Sequence, residues 1–129
     1  MSYRGALEAI DRILNREPEA DEVLRQTVAV LYERVEAYTW VGLYFAEAEE
    51  LVLGPSRGGP APDPPALPLG EGPFVPVVYE GSLVGVLTVG GPAELGAEGR
   101  AFLERVALLI SAHCLVGWDT GGVDWSEVS

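Results

Sequence analysis

Two blocks of apolar residues constrain the fold of this chain more than any other feature. They span Tyr38–Ala46 (YTWVGLYFA) and Phe74–Pro92 (FVPVVYEGSLVGVLTVGGP). In the first block the period is two, which puts Trp40, Gly42 and Tyr44 on one face of a strand. The intervening residues are also apolar, so both faces are suited to burial. This block therefore predicts a central strand.

The second block predicts a β-hairpin. Its arms are Phe74–Tyr79 and Leu83–Val89, and Glu80–Gly81 supplies the turn. Pro76 cannot donate a backbone hydrogen bond, which indicates an edge strand or a bulge in the first arm.

The connection between the blocks predicts little regular structure. After the acidic turn at 47–50, Leu51–Leu53 predicts a short strand that pairs with the first block. The twenty residues of Gly54–Pro73 then contain seven prolines as well as several glycines. We expect a rigid, partly extended loop there.

Helical patterns flank the two blocks. Apolar residues recur at three-and-four spacing up to Asn15–Pro18, from about Glu19 to Glu36, and from about Ala97 to Val116. The order of helix, helix, hairpin, loop, hairpin, helix contains no βαβ crossover. The sequence therefore predicts an α+β domain, with an antiparallel sheet and all helices on one face.

Length and composition bound the domain organisation and the partners. With 129 residues, 48% of them hydrophobic, the chain predicts one domain over residues 1–116. Residues 117–129 form a glycine-rich acidic tail with two tryptophans, which we expect to pack on the domain or on a partner. The net charge of −12 argues against nucleic acid and anionic lipid as partners. The single cysteine and the lack of a long apolar run predict a soluble, cytoplasmic protein without membrane segments.

The order of elements and the motifs within them resemble a GAF domain (a profilin-like fold). Among GAF proteins the chain is similar to the free methionine-R-sulfoxide reductases, through the aromatic strand Tyr38–Tyr44 and the hairpin that contains Val84–Leu87 (VGVL). The resemblance implies that Trp40 and Tyr44 line a ligand pocket. Such an aromatic pair suits a small amphipathic or cationic ligand. The alternative is that the two rings only cover the sheet.

Other residues of that reductase family have no counterpart here. The resemblance places the catalytic cysteines of the family between the two hairpins, where this chain has none. It places the family's acidic pair at Thr88 and Gly90, and a glutamate near Gly72, so no carboxylate remains to hold an ammonium group. The middle segment is also shorter than in the family, which implies a reduced pocket.

The remaining reactive residues are Cys114 and its neighbour His113. Adjacent positions on a helix point about a quarter turn apart, so the two cannot form an ordinary catalytic dyad. One such pair also supplies too few ligands for zinc. We expect no catalytic residue, no metal site and no cofactor.

The sequence therefore predicts a GAF-like module that senses a small ligand or mediates protein interaction, and a homodimer as its assembly. An enzyme of the free methionine-R-sulfoxide reductase type is the alternative, with Cys114 as its only possible nucleophile. The candidate ligand-binding residues are Trp40, Tyr44, Val86 and Thr88.

Overall fold

The computed structural model describes residues 3–47, 49–67, 69–91 and 95–119, except for the side chains of residues 115–119. In chain order the elements are α1 (Tyr3–Arg16), α2 (Ala20–Arg34), β1 (Trp40–Glu47), β2 (Glu50–Gly58), β3 (Phe74–Tyr79), β4 (Ser82–Gly90) and α3 (Ala97–Asp119). None of the helices in these ranges is long and apolar enough to cross a membrane.

The strands form one four-stranded sheet in the order β2-β1-β4-β3, and every neighbouring pair is antiparallel. This confirms the predicted antiparallel α+β architecture. It also confirms that the first apolar block is a central strand, because β1 lies between β2 and β4. Pro76 lies on the edge strand β3, and the register shifts next to it between Val77 and Val78.

Strand β2 is longer than predicted, and the prediction of a loop from Gly54 was wrong for its first five positions, 54–58. The strand continues to Gly58 despite Pro55. The register passes from the pair Gly42 and Ser56 to the pair Tyr44 and Leu53, which leaves Gly54 and Pro55 together opposite Leu43. Such a bulge on an edge strand tolerates a proline, since the missing N–H removes no required ladder bond. The connection between β2 and β3 is therefore residues 59–73.

All helices described here pack on one face of the sheet, as predicted. Helix α2 contacts β1 and β2, helix α3 contacts β3 and β4, and α1 packs mainly on α2. The main core lies between this helical layer and the sheet, and its sheet side includes Val41, Leu43 and Phe45. The period of two in β1 thus assigns its two faces correctly.

The two ends of the chain are described only in part. Helix α3 continues to Asp119, three residues beyond the predicted end at Val116. The rest of the predicted tail, residues 120–129, lies outside the described residues, and its packing stays a prediction.

Candidate functional site

A second apolar cluster lies on the sheet face that is turned away from the helices. Its buried members are Trp40, Tyr44 and Val86. Strand register explains why they meet, because Tyr44 pairs with Val86 while Gly42 pairs with Thr88. The four residues predicted from the sequence therefore share one face, although their role in binding stays a prediction. The partly buried members of the cluster come from β2, from the 59–73 connection and from β3: Leu51, Leu69 and Phe74.

The indole of Trp40 lies directly over Gly42. A Cβ atom added at Gly42 would come within 2.0 Å of the indole Cη2 atom and 2.5 Å of Cζ2. Only glycine at this position lets the ring approach the backbone so closely. The ring centroid lies 6.4 Å from that of Tyr44, with the planes tilted by 47°. Trp40 is only 3% exposed, so its ring fills the middle of this face.

Thr88 adds an aliphatic hydroxyl to this face of the sheet. Its side chain is 4% exposed, and its Oγ1 atom is buried with no hydrogen-bond partner among the described residues. A buried hydroxyl without a partner is unfavourable by about 1–3 kcal/mol. Thr88 lies between Gly42 on β1 and Phe74 on β3. Its side chain therefore shares the sheet face on which the indole lies.

The 59–73 connection lies over the aromatic cluster. Leu69 packs against the cluster, and the carboxylate of Asp63 acts electrostatically on Tyr44. The pKa of the Tyr44 phenol is raised, first by burial and second by the negative charge of Asp63. An acidic side chain thus lies within electrostatic reach of the site, although the positions of the reductase family's carboxylates predict none there.

The end of this connection is fixed by α3. The guanidinium of Arg100 donates hydrogen bonds to the carbonyl oxygens of Gly72, at 3.1 Å, and Phe74, at 3.4 Å. In addition, the backbone N–H of Val89 donates to the carbonyl oxygen of Pro73. Phe74 is thereby held where it contacts the cluster. A basic residue in the first turn of a helix gives no sequence signal for such a contact.

Cys114 and His113 lie on α3, in the helical layer across the sheet from the aromatic cluster. Cys114 is fully buried in the main core, and burial raises the pKa of its thiol to about 12. A thiol with this pKa carries almost no thiolate at neutral pH, and thiolate is the nucleophilic form. Burial also lowers the pKa of His113. Within the described ranges no group of three or more His, Cys, Asp or Glu side chains is placed to hold a metal ion.

Several residues of the site were not predicted from the sequence. Gly42 could have been identified, since it lies on the same strand face between two aromatic residues. Leu69 and Asp63 gave no such signal, because neither belongs to a periodic segment. Their positions depend on how the 59–73 connection returns across the sheet.

No protein-family model matches the sequence, and no curated protein matches it either. Solved structures do match the fold. A free methionine-R-sulfoxide reductase (fRMsr) of Staphylococcus aureus, in complex with substrate, has a TM-score of 0.74 at 19% identity, covering 88% of this chain and 95% of the reductase. A protein of Burkholderia vietnamiensis described as a GAF sensor has a TM-score of 0.73 at 25% identity, covering 86% of each chain.

The GAF domain of an Acinetobacter phosphoenolpyruvate-protein phosphotransferase also matches. Its TM-score is 0.69 at 16% identity, and the match covers 96% of this chain and 100% of that domain. These structures share the helical layer and the antiparallel sheet described above. The chain therefore has the GAF fold, as its sequence predicts, and resembles both GAF sensor domains and free methionine-R-sulfoxide reductases.

Proposed function

We propose that this protein is a non-catalytic GAF module that binds a small ligand over Trp40, Tyr44, Val86 and Thr88. The observation that supports this most directly is the buried hydroxyl of Thr88. A polar group without a partner lowers stability, and a ligand that forms a hydrogen bond with this hydroxyl would remove that cost. Sites lined mainly by apolar and aromatic side chains, with few polar groups, are typical of small-molecule binding.

The charges around the site favour a neutral or cationic ligand. Asp63 is close enough to Tyr44 to affect its titration, and the chain as a whole has a net charge of −12. Both would repel an anion. The face of the Tyr44 ring attracts cations. We therefore propose an amphipathic ligand without net negative charge.

The substitution Thr88→Val tests this function, because stability and binding should respond with opposite signs. Valine has nearly the same shape and removes the unpaired hydroxyl, so the free energy of unfolding should rise by about 1 kcal/mol. Loss of one hydrogen bond to a ligand should weaken binding by up to about tenfold. A thermal-shift screen of small metabolites identifies ligands, and calorimetry compares their affinities for the two proteins.

The matched control is Ser82→Ala, at the exposed start of the same strand. It should change neither stability nor affinity. If no metabolite stabilises the protein, or if Thr88→Val binds every identified ligand as tightly as the unsubstituted chain, the proposal is wrong.

A reductase of free methionine-R-sulfoxide is the second candidate, supported by the likeness to the Staphylococcus aureus enzyme and by the aromatic pair. The reaction needs a nucleophilic thiol, and Cys114 is the only cysteine. Its burial and raised pKa argue against this role. A thioredoxin-coupled assay that follows NADPH consumption distinguishes the candidates. Turnover that Cys114→Ser abolishes would replace our proposal with this one.

We also propose that the module forms a homodimer through its helical layer. Helix α3 exposes Leu108, at 64%, on the surface away from the sheet. Leu108 would contact a second copy that packs on this exposed face of α3. Light scattering after size exclusion should give a dimer for the unsubstituted chain and for Val78→Glu, but a monomer for Leu108→Glu. A monomer for the unsubstituted chain at micromolar concentrations would contradict this.

A further inference from the structure

The position of Trp40 suggests which kind of ligand the site accepts. The indole rests on Gly42 where any other residue would have its Cβ. Thr88 lies beside it on β4, and Tyr44 stands next to it along β1. Leu69 and Phe74 complete the cluster. The space above Gly42 is thus a slot that holds a flat bicyclic ring, and in this structure a side chain of the protein itself fills it.

The cross-strand neighbours of Trp40 are both glycines. Trp40 pairs with Gly58 on β2 and with Gly90 on β4, and it is the first residue of β1. No cross-strand side chain therefore packs against its stem in the ladder. Rotation of the Trp40 side chain away from Gly42 therefore breaks the contacts of the indole in the slot. It breaks no contact with a cross-strand side chain, because both cross-strand partners are glycines.

We propose that the Trp40 ring stands in for the ligand, and that a planar aromatic or heteroaromatic molecule of about indole size binds by displacing it from Gly42. This rests on the proposed ligand-binding function and specifies its ligand class. The incoming ring recovers the apolar contacts that the indole gives up. An edge nitrogen or oxygen of the ligand in addition pairs with the Thr88 hydroxyl, which has no partner among the described residues.

Benzimidazole is a suitable probe, since it is flat, bicyclic and carries a ring nitrogen that accepts a hydrogen bond. The full chain with Trp118→Phe and Trp125→Phe retains Trp40 as its only tryptophan. Benzimidazole should shift the Trp40 emission to longer wavelength and increase its quenching by acrylamide several-fold. Cyclohexylmethanol, which is not planar, should do neither. Stabilisation by benzimidazole with unchanged Trp40 emission would overturn the displacement.

The substitution Trp40→Ala tests the slot itself. With the competing ring removed, affinity for benzimidazole should rise by about tenfold or more. Adding Thr88→Val to this variant should lower the affinity again by up to about tenfold. Since truncation of a buried tryptophan reduces stability, circular dichroism first establishes that the variant is folded. If the variant is not folded, the Trp40 emission experiment with benzimidazole tests the inference without it.

The substitution Gly42→Ala keeps Trp40 and fills the floor of the slot. It should expose the indole without any probe and abolish benzimidazole binding. The control Gly70→Ala, where an added Cβ meets nothing within 4 Å, should leave both unchanged. A folded Trp40→Ala variant that does not bind benzimidazole, or binds cyclohexylmethanol equally well, would overturn the inference. In that case a non-planar ligand from the metabolite screen would still support the proposed function. If instead benzimidazole binds in the slot but no metabolite stabilises the unsubstituted chain, the inference about the slot is supported and the proposed function is wrong.

Discussion

The substitution Phe45→Ala should lower the free energy of unfolding by about 3–5 kcal/mol. Phe45 is 2% exposed and lies at the centre of the sheet, on the face that the helices cover. Its ring also packs over Gly54, where an added Cβ would come within 2.4 Å of the ring. Glycine has no side chain that could move into the vacated space, so the cavity remains largely open. Urea denaturation followed by circular dichroism measures the loss.

The matched control is Val52→Ala. Val52 is the cross-strand partner of Phe45 on the edge strand β2 but is 39% exposed. Its truncation should cost less than about 1 kcal/mol. Comparable losses for the two variants would contradict the position of Phe45 in the core.

The substitution Gly85→Ala should lower the free energy of unfolding by about 2–3 kcal/mol, although it adds only one methyl group. Gly85 pairs with Phe45 at the centre of the sheet. Its Cβ would lie 2.5 Å from the carbonyl oxygen of Tyr44. The obstacle is backbone, which cannot rotate away as a side chain can. Strands β1 and β4 must therefore separate locally, and thermal denaturation measures the consequence.

Hydrogen exchange would locate this damage. Faster exchange is expected for the β1 and β4 amides around the pair, whereas the control Gly70→Ala should leave the exchange pattern and the melting temperature nearly unchanged. If Gly85→Ala melts at the same temperature as the unsubstituted chain, the close approach of β4 to the Tyr44 carbonyl is wrong.

The parts of the structure that were predicted well from sequence are those with local periodicity. Alternation in Tyr38–Ala46 assigned both faces of β1, and the helical repeats placed the three helices of the described ranges. The clearest error was the prediction of a loop at residues 54–58, where β2 continues. The prolines from Pro55 onward predict a loop, but proline excludes only the ladder bond that its own nitrogen would donate. On an edge strand with a bulge, that bond is not required.

Only the part of the candidate site that follows from strand pairing could be predicted from the sequence. Two rings at alternate positions of β1 must share a face, and Thr88 joins them once β4 is paired with β1. The cover that the 59–73 connection provides depends on contacts between residues far apart in sequence. The position of Leu69 depends on such contacts, and Arg100 fixes only the end of the connection, at Gly72 and Phe74.

The prolines at the two margins of the sheet have a consequence for self-association. Strands β2 and β3 are its edges, and each carries a proline, Pro55 or Pro76, next to an irregularity in register. An edge interrupted in this way is a poor template for an extra strand, which protects a chain rich in apolar residues against edge-to-edge aggregation. Pairing of either edge strand, β2 or β3, with a strand of another molecule is therefore disfavoured.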